Sequence, residues 1–192
     1  MSKYATILFL FVCAAAQAQP ISGEISDFSA VDVNSGAAVS LKQFAPEKGL
    51  VVIFRGNECP FDGYYDQRIA ELVRSFKGQV PILLVNPYLE PQEGEDKMKM
   101  YATVWGLGVP YLADKDQTVM NALGARKTPE AFVLKNNDGK FVVSYAGAID
   151  DNPQLPAGVK QKHLQAAIEA LLAGQRGATI TVRAAGCTIR KK

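Results

Sequence analysis

The feature that most constrains the fold is a continuous apolar run at residues 50–54, followed within a few residues by Cys59-Pro60. A run of this kind predicts a strand buried on both faces, as in the middle of a sheet covered by helices. A helical pattern begins directly afterwards, and proline is favoured at the first position of a helix. Cys59 is therefore expected to cap that helix, where free backbone N–H groups and the helix dipole favour the thiolate.

Strand and helix patterns alternate along the rest of the chain. The predicted strands cover residues 28–33, 38–41, 50–55, 80–85, 130–134 and 140–145. The predicted helices run from Pro60 to Gly78 and over residues 95–105, 114–123 and 160–173, with Asp114 and Gln117 as a capping box for the third. Residues 179–182 fit either a last strand or an extended tail. This order predicts one α/β domain, a central mixed β-sheet flanked by helices.

The first residues have the form of a secretory signal peptide. Lys3 supplies a positive charge, residues 5–16 are apolar, and Ala16-Gln17-Ala18 matches a small-x-small cleavage site. Cleavage after Ala18 divides the chain into a signal peptide, residues 1–18, and a mature domain, residues 19–192. No segment is long enough to predict a membrane span. We therefore expect export to the bacterial periplasm or beyond the cell, where a disulfide can persist.

Composition argues against several classes of function. The formal net charge is +2 with acidic and basic residues interspersed, so no nucleic-acid partner is expected. The single histidine and the two cysteines of the mature chain, Cys59 and Cys187, cannot build a transition-metal site of ordinary spacing. There is no glycine-rich phosphate loop. We expect neither a metal nor another cofactor.

Five segments carry a resemblance to a known family. They are Val51-Val52-Ile53-Phe54, Cys59-Pro60-Phe61 with Tyr65, Thr128-Pro129, residues 145–152, and Gly186-Cys187-Thr188-Ile189. From Ile25 to the C-terminus the chain resembles thioredoxin-fold proteins of the redoxin group, which contains the peroxiredoxin-like (AhpC/TSA) domains. The last two segments resemble an exported bacterial subgroup that ends in a similar Gly-Cys turn.

The resemblance implies a thioredoxin-like fold and a thiol oxidoreductase that reduces peroxides or disulfides. Cys59 would be the nucleophile and Cys187 its resolving partner, with electrons supplied by an external thiol, either a thioredoxin-like protein or a small thiol. It also places the Thr128-Pro129 loop, whose peptide bond can be cis or trans, against Cys59. Arg126 and Lys127 would then lie near the thiolate, unless they are solvated loop cations.

The departures from the family pattern leave alternatives open. Gly56 stands where relatives often have the first cysteine of a Cys-x-x-Cys motif, which excludes dithiol exchange within one motif. Gly56 and Val52 also replace the threonine and proline of the peroxiredoxin pattern. Cys187 could resolve Cys59 within the chain or from a neighbouring subunit of a homodimer. The rival hypothesis is a catalytically silent binding module whose Cys59–Cys187 disulfide is structural.

Overall fold

The structure is a computed structural model that describes residues 23–175, 177 and 179–192. The expected signal peptide, residues 1–18, lies outside the described residues. The strands are β1 (Ser29–Asp32), β2 (Ala38–Ser40), β3 (Gly49–Phe54), β4 (Ile82–Asn86), β5 (Tyr111–Ala113), β6 (Lys127–Thr128), β7 (Glu130–Asn137), β8 (Lys140–Gly147), β9 (Ile180–Val182) and β10 (Cys187–Thr188). The helices are α1 (Pro60–Ser75), α2 (Glu95–Trp105), α3 (Thr118–Leu123) and α4 (His163–Leu172).

The main sheet has eight strands in the order β2-β1-β5-β4-β3-β7-β8-β9. Strand β3 lies inside it, parallel to β4 and antiparallel to β7, and all of its residues are buried. Successive side chains of a strand point to opposite faces. Thus Val51 and Ile53 pack with α1, α2 and α4 on one side of the sheet, while Val52 and Phe54 pack with α3 on the other. The predicted mixed sheet with flanking helices is confirmed.

A second, two-stranded sheet joins β6 to β10 near the C-terminus. The pairing is antiparallel and sets Cys187 opposite Thr128 and Thr188 opposite Lys127. It ties the C-terminal segment, residues 186–192, to the loop that precedes β7. We call these residues the tail segment.

Several predicted element boundaries were wrong. The third helix begins at Thr118 because the Asp114 carboxylate caps the N–H groups of Val119 and Met120, while Gln117 adopts a left-handed backbone conformation with a φ of 55°. The predicted capping box is therefore not formed.

Other differences affect the ends of elements and two short strands. Helix α4 begins at His163 rather than at residue 160, and the sequence analysis missed β5 and the β6–β10 pairing. The open alternative at residues 179–182 resolves as a strand, because β9 pairs parallel to β8. No helix within the described ranges is long and apolar enough to cross a membrane.

Candidate active site

Cys59 lies where the apolar run and the Cys-Pro pair predicted it. It caps α1 in an extended conformation, with Pro60 as the first helical residue. The buried strand β3 fixes the chain before it, and Tyr65 and Ile69 of α1 fix the chain after it by packing into the core. The side chain of Cys59 is largely buried, with 7% of the residue exposed.

Cys59 and Cys187 form a disulfide in the structure. Their Cα atoms are 6.1 Å apart, although the two residues are separated by 128 positions in the sequence. Cys187 is only half-buried, so it is the more exposed residue of the two. The structure thus brings together the two cysteines that the resemblance paired.

The Thr128-Pro129 loop lies against this disulfide. The peptide bond between the two residues is cis, and both are buried. The carbonyl oxygen of Thr128 is 3.4 Å from Sγ of Cys59. This carbonyl is an acceptor, so it can take a hydrogen bond from the Cys59 thiol but offers none to a thiolate.

Arg126 and Lys127 border the tail segment. The Arg126 carbonyl accepts the N–H of Ile189 at 2.9 Å, and the Arg126 side chain is exposed. The Lys127 ammonium donates to the Gly186 carbonyl at 3.1 Å. Within the part of the chain that the structure describes, neither side chain forms a hydrogen bond to Sγ of Cys59. Their contacts are those of residues that seat the tail segment.

The tail segment is held by contacts that the sequence analysis did not foresee. Gln117, only 1% exposed, donates to the carbonyls of Pro87 at 3.0 Å and Arg190 at 2.7 Å and accepts the N–H of Lys192 at 2.8 Å. Ile189 is 6% exposed and packs into the core on the α3 side of the sheet. The one signal in the sequence for this role of Gln117 is that a polar residue stands at the start of an apolar helix.

Two glycines near the disulfide have no room for a side chain. A Cβ atom at Gly56 would lie 2.7 Å from the Tyr88 ring, so this ring occupies the place of the missing first cysteine. A Cβ atom at Gly186 would overlap the Thr128 carbonyl. Gly186 is therefore what lets the tail segment approach the cis-proline loop.

Asp62 is a titratable residue of the site that the sequence analysis missed. It is 1% exposed, and its Oδ2 accepts the Gly56 N–H at 2.9 Å. Its Oδ1 has no hydrogen-bond partner among the described residues. Burial raises the pKa of Asp62 to about 7, although the Arg55 charge and the hydrogen bond from Gly56 oppose that rise. Asp62 can therefore change its protonation state near neutral pH.

A cavity of about 540 Å³ is lined in part by Cys59 and Cys187 and gives a small thiol or an extended polypeptide room to approach. Its lining includes the carboxylates Glu58, Glu90 and Glu93 and the cation Arg190. The described ranges contain no group of three or more histidine, cysteine or acidic residues able to hold a metal ion.

A thioredoxin-like fold with a cysteine at a helix N-terminus, a cis-proline loop and a second cysteine bonded to the first defines a protein of the thiol oxidoreductase type. The chain belongs to the AhpC/TSA family, whose model matches residues 21–151. A comparison with curated proteins gives no match.

Solved structures share this fold. A hypothetical protein from Sinorhizobium meliloti 1021 is 28% identical with a TM-score of 0.77, over 90% of this chain and 95% of that one. An uncharacterized conserved protein from Geobacillus kaustophilus is 27% identical with a TM-score of 0.80, over 90% of this chain and 93% of the other. Peroxidoxin BcpB from Mycobacterium tuberculosis is 17% identical with a TM-score of 0.55, over 81% and 97% of the two chains, and shows the fold alone.

Proposed function

We propose that the protein is an exported thiol–disulfide oxidoreductase that reduces disulfides, with Cys59 and Cys187 cycling between a dithiol and the disulfide. The observation that carries this proposal is the position of Cys187 on a strand that pairs with Thr128 across from Cys59. Addition of a strand to a free sheet edge is a common way to bind an extended polypeptide. Export is supported by the signal-like residues 1–18.

The reaction consists of two thiol–disulfide exchanges. The Cys59 thiolate attacks a substrate disulfide, forms a mixed disulfide and releases one substrate sulfur as a thiolate, which takes up a proton. Cys187, as its thiolate, then attacks the Cys59 sulfur, forms the Cys59–Cys187 disulfide and releases the second substrate thiol. The substrate gains two electrons and two protons, and the protein loses them.

An external thiol, from a thioredoxin-like protein or a small molecule, returns the protein to the dithiol. Its thiolate attacks the sulfur of Cys187, the more exposed of the two cysteines, and Cys59 leaves as a thiolate that the N-terminus of α1 stabilises. A second donor thiolate attacks the donor sulfur of this mixed disulfide, which forms the oxidised donor and releases Cys187 as a thiolate that takes up a proton. The difference in burial between the two cysteines thus assigns Cys187 as the point of entry for electrons.

The short connection between β9 and Cys187 favours attack of Cys187 on Cys59 of the same chain. Strand β9 is fixed by its pairing with β8, so only residues 183–186 link a fixed strand to Cys187. An extended chain advances at most about 3.6 Å per residue, which keeps Cys187 close to its own Cys59. Resolution from a neighbouring subunit of a homodimer, the alternative left open by the sequence, is therefore not required for this cycle.

Disulfide substrates fit the site better than peroxides. Peroxide cleavage is accelerated by donors aimed at the oxygen on which charge develops. The group next to Sγ of Cys59 is instead the Thr128 carbonyl, an acceptor. The nearby cation Arg55 stacks on Trp105 and pairs with Asp66.

A silent binding module with a structural disulfide is the second candidate. It is favoured by the burial of Ile189 and by the hydrogen bonds from Gln117, which hold the tail segment without any help from the sulfurs. In such a module the Cys59–Cys187 disulfide would fix the C-terminus and have no other role.

A redox titration combined with turnover tests the proposal. We expect a midpoint potential above about −300 mV, the range of exchangeable disulfides, and dithiothreitol-driven reduction of a model peptide disulfide that is abolished in Cys59→Ser. The Cys187→Ser variant should accumulate the mixed disulfide. A bond that stays oxidised below that potential would establish the silent module. Rapid peroxide consumption with sulfenic acid at Cys59 would establish the peroxidase instead.

A matched glycine pair tests resolution within the chain. Gly186→Ala should slow closure of the Cys59–Cys187 bond at least about tenfold, since the added methyl overlaps the Thr128 carbonyl and moves Cys187 away. Gly63→Ala is the control, because a Cβ atom there meets nothing within 4 Å. Equal closure rates in the two variants would show that the position of the tail segment does not govern resolution.

A further inference from the structure

The loop between β3 and α1 has three consecutive backbone N–H groups that are bound by two buried carboxylates. Asp62 accepts the Gly56 N–H at 2.9 Å. Glu93 accepts the Asn57 N–H at 2.8 Å through Oε2 and the Glu58 N–H at 3.0 Å through Oε1. Asp62 is 1% exposed and Glu93 is 4% exposed. Successive N–H groups of a turn can bind an anion, and here the protein's own carboxylates take that place.

Glu93 has the hydrogen-bond partners of an ionised carboxylate. A third donor, the side-chain amide of Asn86, lies 2.7 Å from its Oε2. All three hydrogen bonds that the structure gives this side chain are donated to it. An ionised carboxylate can only accept, so these partners suit the charged form. Glu93 therefore holds a negative charge against the backbone of Glu58, the residue that precedes Cys59.

The cations near Glu93 are engaged elsewhere. The Lys115 ammonium donates to the backbone carbonyls of Tyr88 and Glu93, at 2.7 Å each, and so fixes the segment that carries the carboxylate. Arg55 stacks on an aromatic ring and pairs with another carboxylate. Among the residues that the structure describes, no cation forms an ion pair with the Glu93 carboxylate.

The surroundings of Cys59 therefore act on its thiolate in two opposite ways. The N-terminus of α1 favours the thiolate, whereas nearby carboxylates disfavour it. The cavity beside the disulfide is lined by the carboxylates Glu58, Glu90 and Glu93 and by the cation Arg190. A disulfide is a stronger oxidant when its reduced form is stabilised, as by easy formation of a thiolate. Carboxylates that oppose the thiolate consequently lower the reduction potential.

We propose that Glu93 is a positioning residue that fixes the loop before Cys59 and, through its buried charge, makes the Cys59–Cys187 pair a donor of electrons to other disulfides. The direction of electron flow rests on the proposed function, whereas the effect of Glu93 on the Cys59 thiol does not. The substrates that suit such a pair are strained or exposed disulfides, because their potentials are higher than those of structural disulfides.

Two substitutions separate the charge of Glu93 from its reach. In Glu93→Gln the amide oxygen can still accept from Asn57 and Asn86, but the amide NH₂ then faces the Glu58 N–H, so the charge and one hydrogen bond are lost. Glu93→Asp keeps the charge and is shorter by one methylene. A purely structural role would make the two variants differ only in stability.

The first measurement uses the Cys187→Ser variant, in which Cys59 is the only cysteine of the mature chain. The pH dependence of alkylation by iodoacetamide gives the pKa of the Cys59 thiol. Adding Glu93→Gln should lower this pKa, so that the ratio of thiolate to thiol at a fixed pH rises about three- to tenfold. Adding Glu93→Asp should change the ratio much less. Because Asp62 lies beside the same loop, the comparison is repeated with Asp62→Asn to remove the second carboxylate.

The second measurement is a redox titration of the chain with both cysteines at pH 8.5, where the Cys59 thiolate is the main form. Glu93→Gln should shift the equilibrium toward the dithiol about three- to tenfold, which raises the midpoint potential by about 15–30 mV. Glu90→Gln, at an exposed acid of the same cavity, is the matched control. Its smaller effect should disappear in 1 M salt, whereas the effect of the buried Glu93 should persist.

Two results would overturn the role of Glu93. One is a pKa of Cys59 that does not fall in Glu93→Gln, and the other is an equal change in Glu93→Gln and Glu90→Gln. Thermal unfolding checks that each variant is folded. If Glu93→Gln is not, Glu93→Asp and Glu93→Asn, equal in length and different in charge, provide the same comparison.

Failure of the proposed function gives a different result. A Cys59–Cys187 disulfide that no thiol reduces would remove the assigned direction of electron flow. The pKa of Cys59 in the Cys187→Ser variant would still report the effect of the Glu93 charge, because that variant contains no disulfide. The two failures are therefore distinguishable.

Discussion

Cys59 and Cys187 are bonded to each other but held by different kinds of structure. Cys59 sits between β3, in which every residue is buried, and α1, which packs into the core. Cys187 sits on a two-residue strand that pairs with β6, and its neighbours are fixed by Gln117 and by the close fit of Gly186.

This difference separates a rigid half of the site from a releasable one. Moving Cys59 would disturb tightly packed apolar side chains, each of which contributes roughly 1.5–3 kcal/mol when buried. Releasing the tail segment breaks individual hydrogen bonds, each worth about 1 kcal/mol, and exposes a single buried apolar side chain of the segment's core contact, Ile189. Exchange chemistry needs one sulfur held in place and one that can leave, and the two cysteines meet that need.

The largest expected effect concerns the bond that joins the two halves. Cys187→Ser should lower the free energy of unfolding by up to about 5 kcal/mol, because a disulfide across 128 positions greatly restricts the unfolded chain. Denaturant unfolding of both proteins measures this, with Cys187→Ser in reducing buffer as the control. A loss below about 1 kcal/mol would mean that strain or residual unfolded structure cancels the restriction.

The next effect concerns the buried acid beneath Cys59. An unfolded aspartate titrates near pH 3.9, whereas the pKa of Asp62 is raised to about 7, so between these values the folded state binds more protons. Its contribution to stability therefore falls as pH rises from about 4 to about 7. Asp62→Asn should remove this loss of stability. At pH 8 the free energy of unfolding of the variant should therefore exceed that of the wild type by up to roughly 4 kcal/mol.

Unfolding free energies of both proteins across this pH range check the effect of Asp62. The variants should converge near pH 4, where the folded wild-type carboxyl is already neutral. A constant difference at every pH would mean that the substitution acts through packing rather than through charge.

The two halves also differ in how far the sequence predicted them. Periodicity located β3 and α1, and the Cys-Pro pair located the helix cap, because those signals are local. The sequence analysis paired Cys187 with Cys59, but it did not predict the position of Cys187 opposite Thr128. No local pattern encodes a two-residue pairing between segments that lie some sixty positions apart in the sequence.

Individual residues show why the remainder was missed. Gln117 looked like part of a capping box, but a left-handed backbone turns it toward the tail segment. Asp62 stands in the first turn of α1, where the helix dipole favours any carboxylate, so its position alone gives no signal of a buried acid. The charge and hydroxyl groups near its carboxylate include those of Arg55, Tyr88 and Thr128, which come from three other parts of the chain.

A third prediction tests the rigid half by introducing a cysteine at position 56, where the Cys-x-x-Cys motif would have its first cysteine. Gly56→Cys alone should cost about 1–3 kcal/mol of stability, because its Cβ atom would meet the Tyr88 ring at 2.7 Å. Adding Tyr88→Ala should relieve the overlap and let the introduced thiol compete with Cys187 for Cys59. Peptide mapping of the oxidised double variant should show a new bond within residues 56–59. Exclusive retention of Cys59–Cys187 would show that space is not what excludes a vicinal dithiol.

The smallest expected effect tests the releasable half. Gln117→Ala removes one donor and one acceptor that hold the tail segment, and Gln79→Ala is a matched control at an exposed glutamine bonded only within its own turn. We expect Gln117→Ala to cost about 1 kcal/mol and to raise the exchange of the Ile189 N–H about fivefold in the reduced protein. In the oxidised protein the rise should be much smaller, since the disulfide still confines Cys187. Equal increases in both redox states would mean that the disulfide does not restrict the motion that exposes the Ile189 N–H. That result would contradict the division of the site into a rigid and a releasable half.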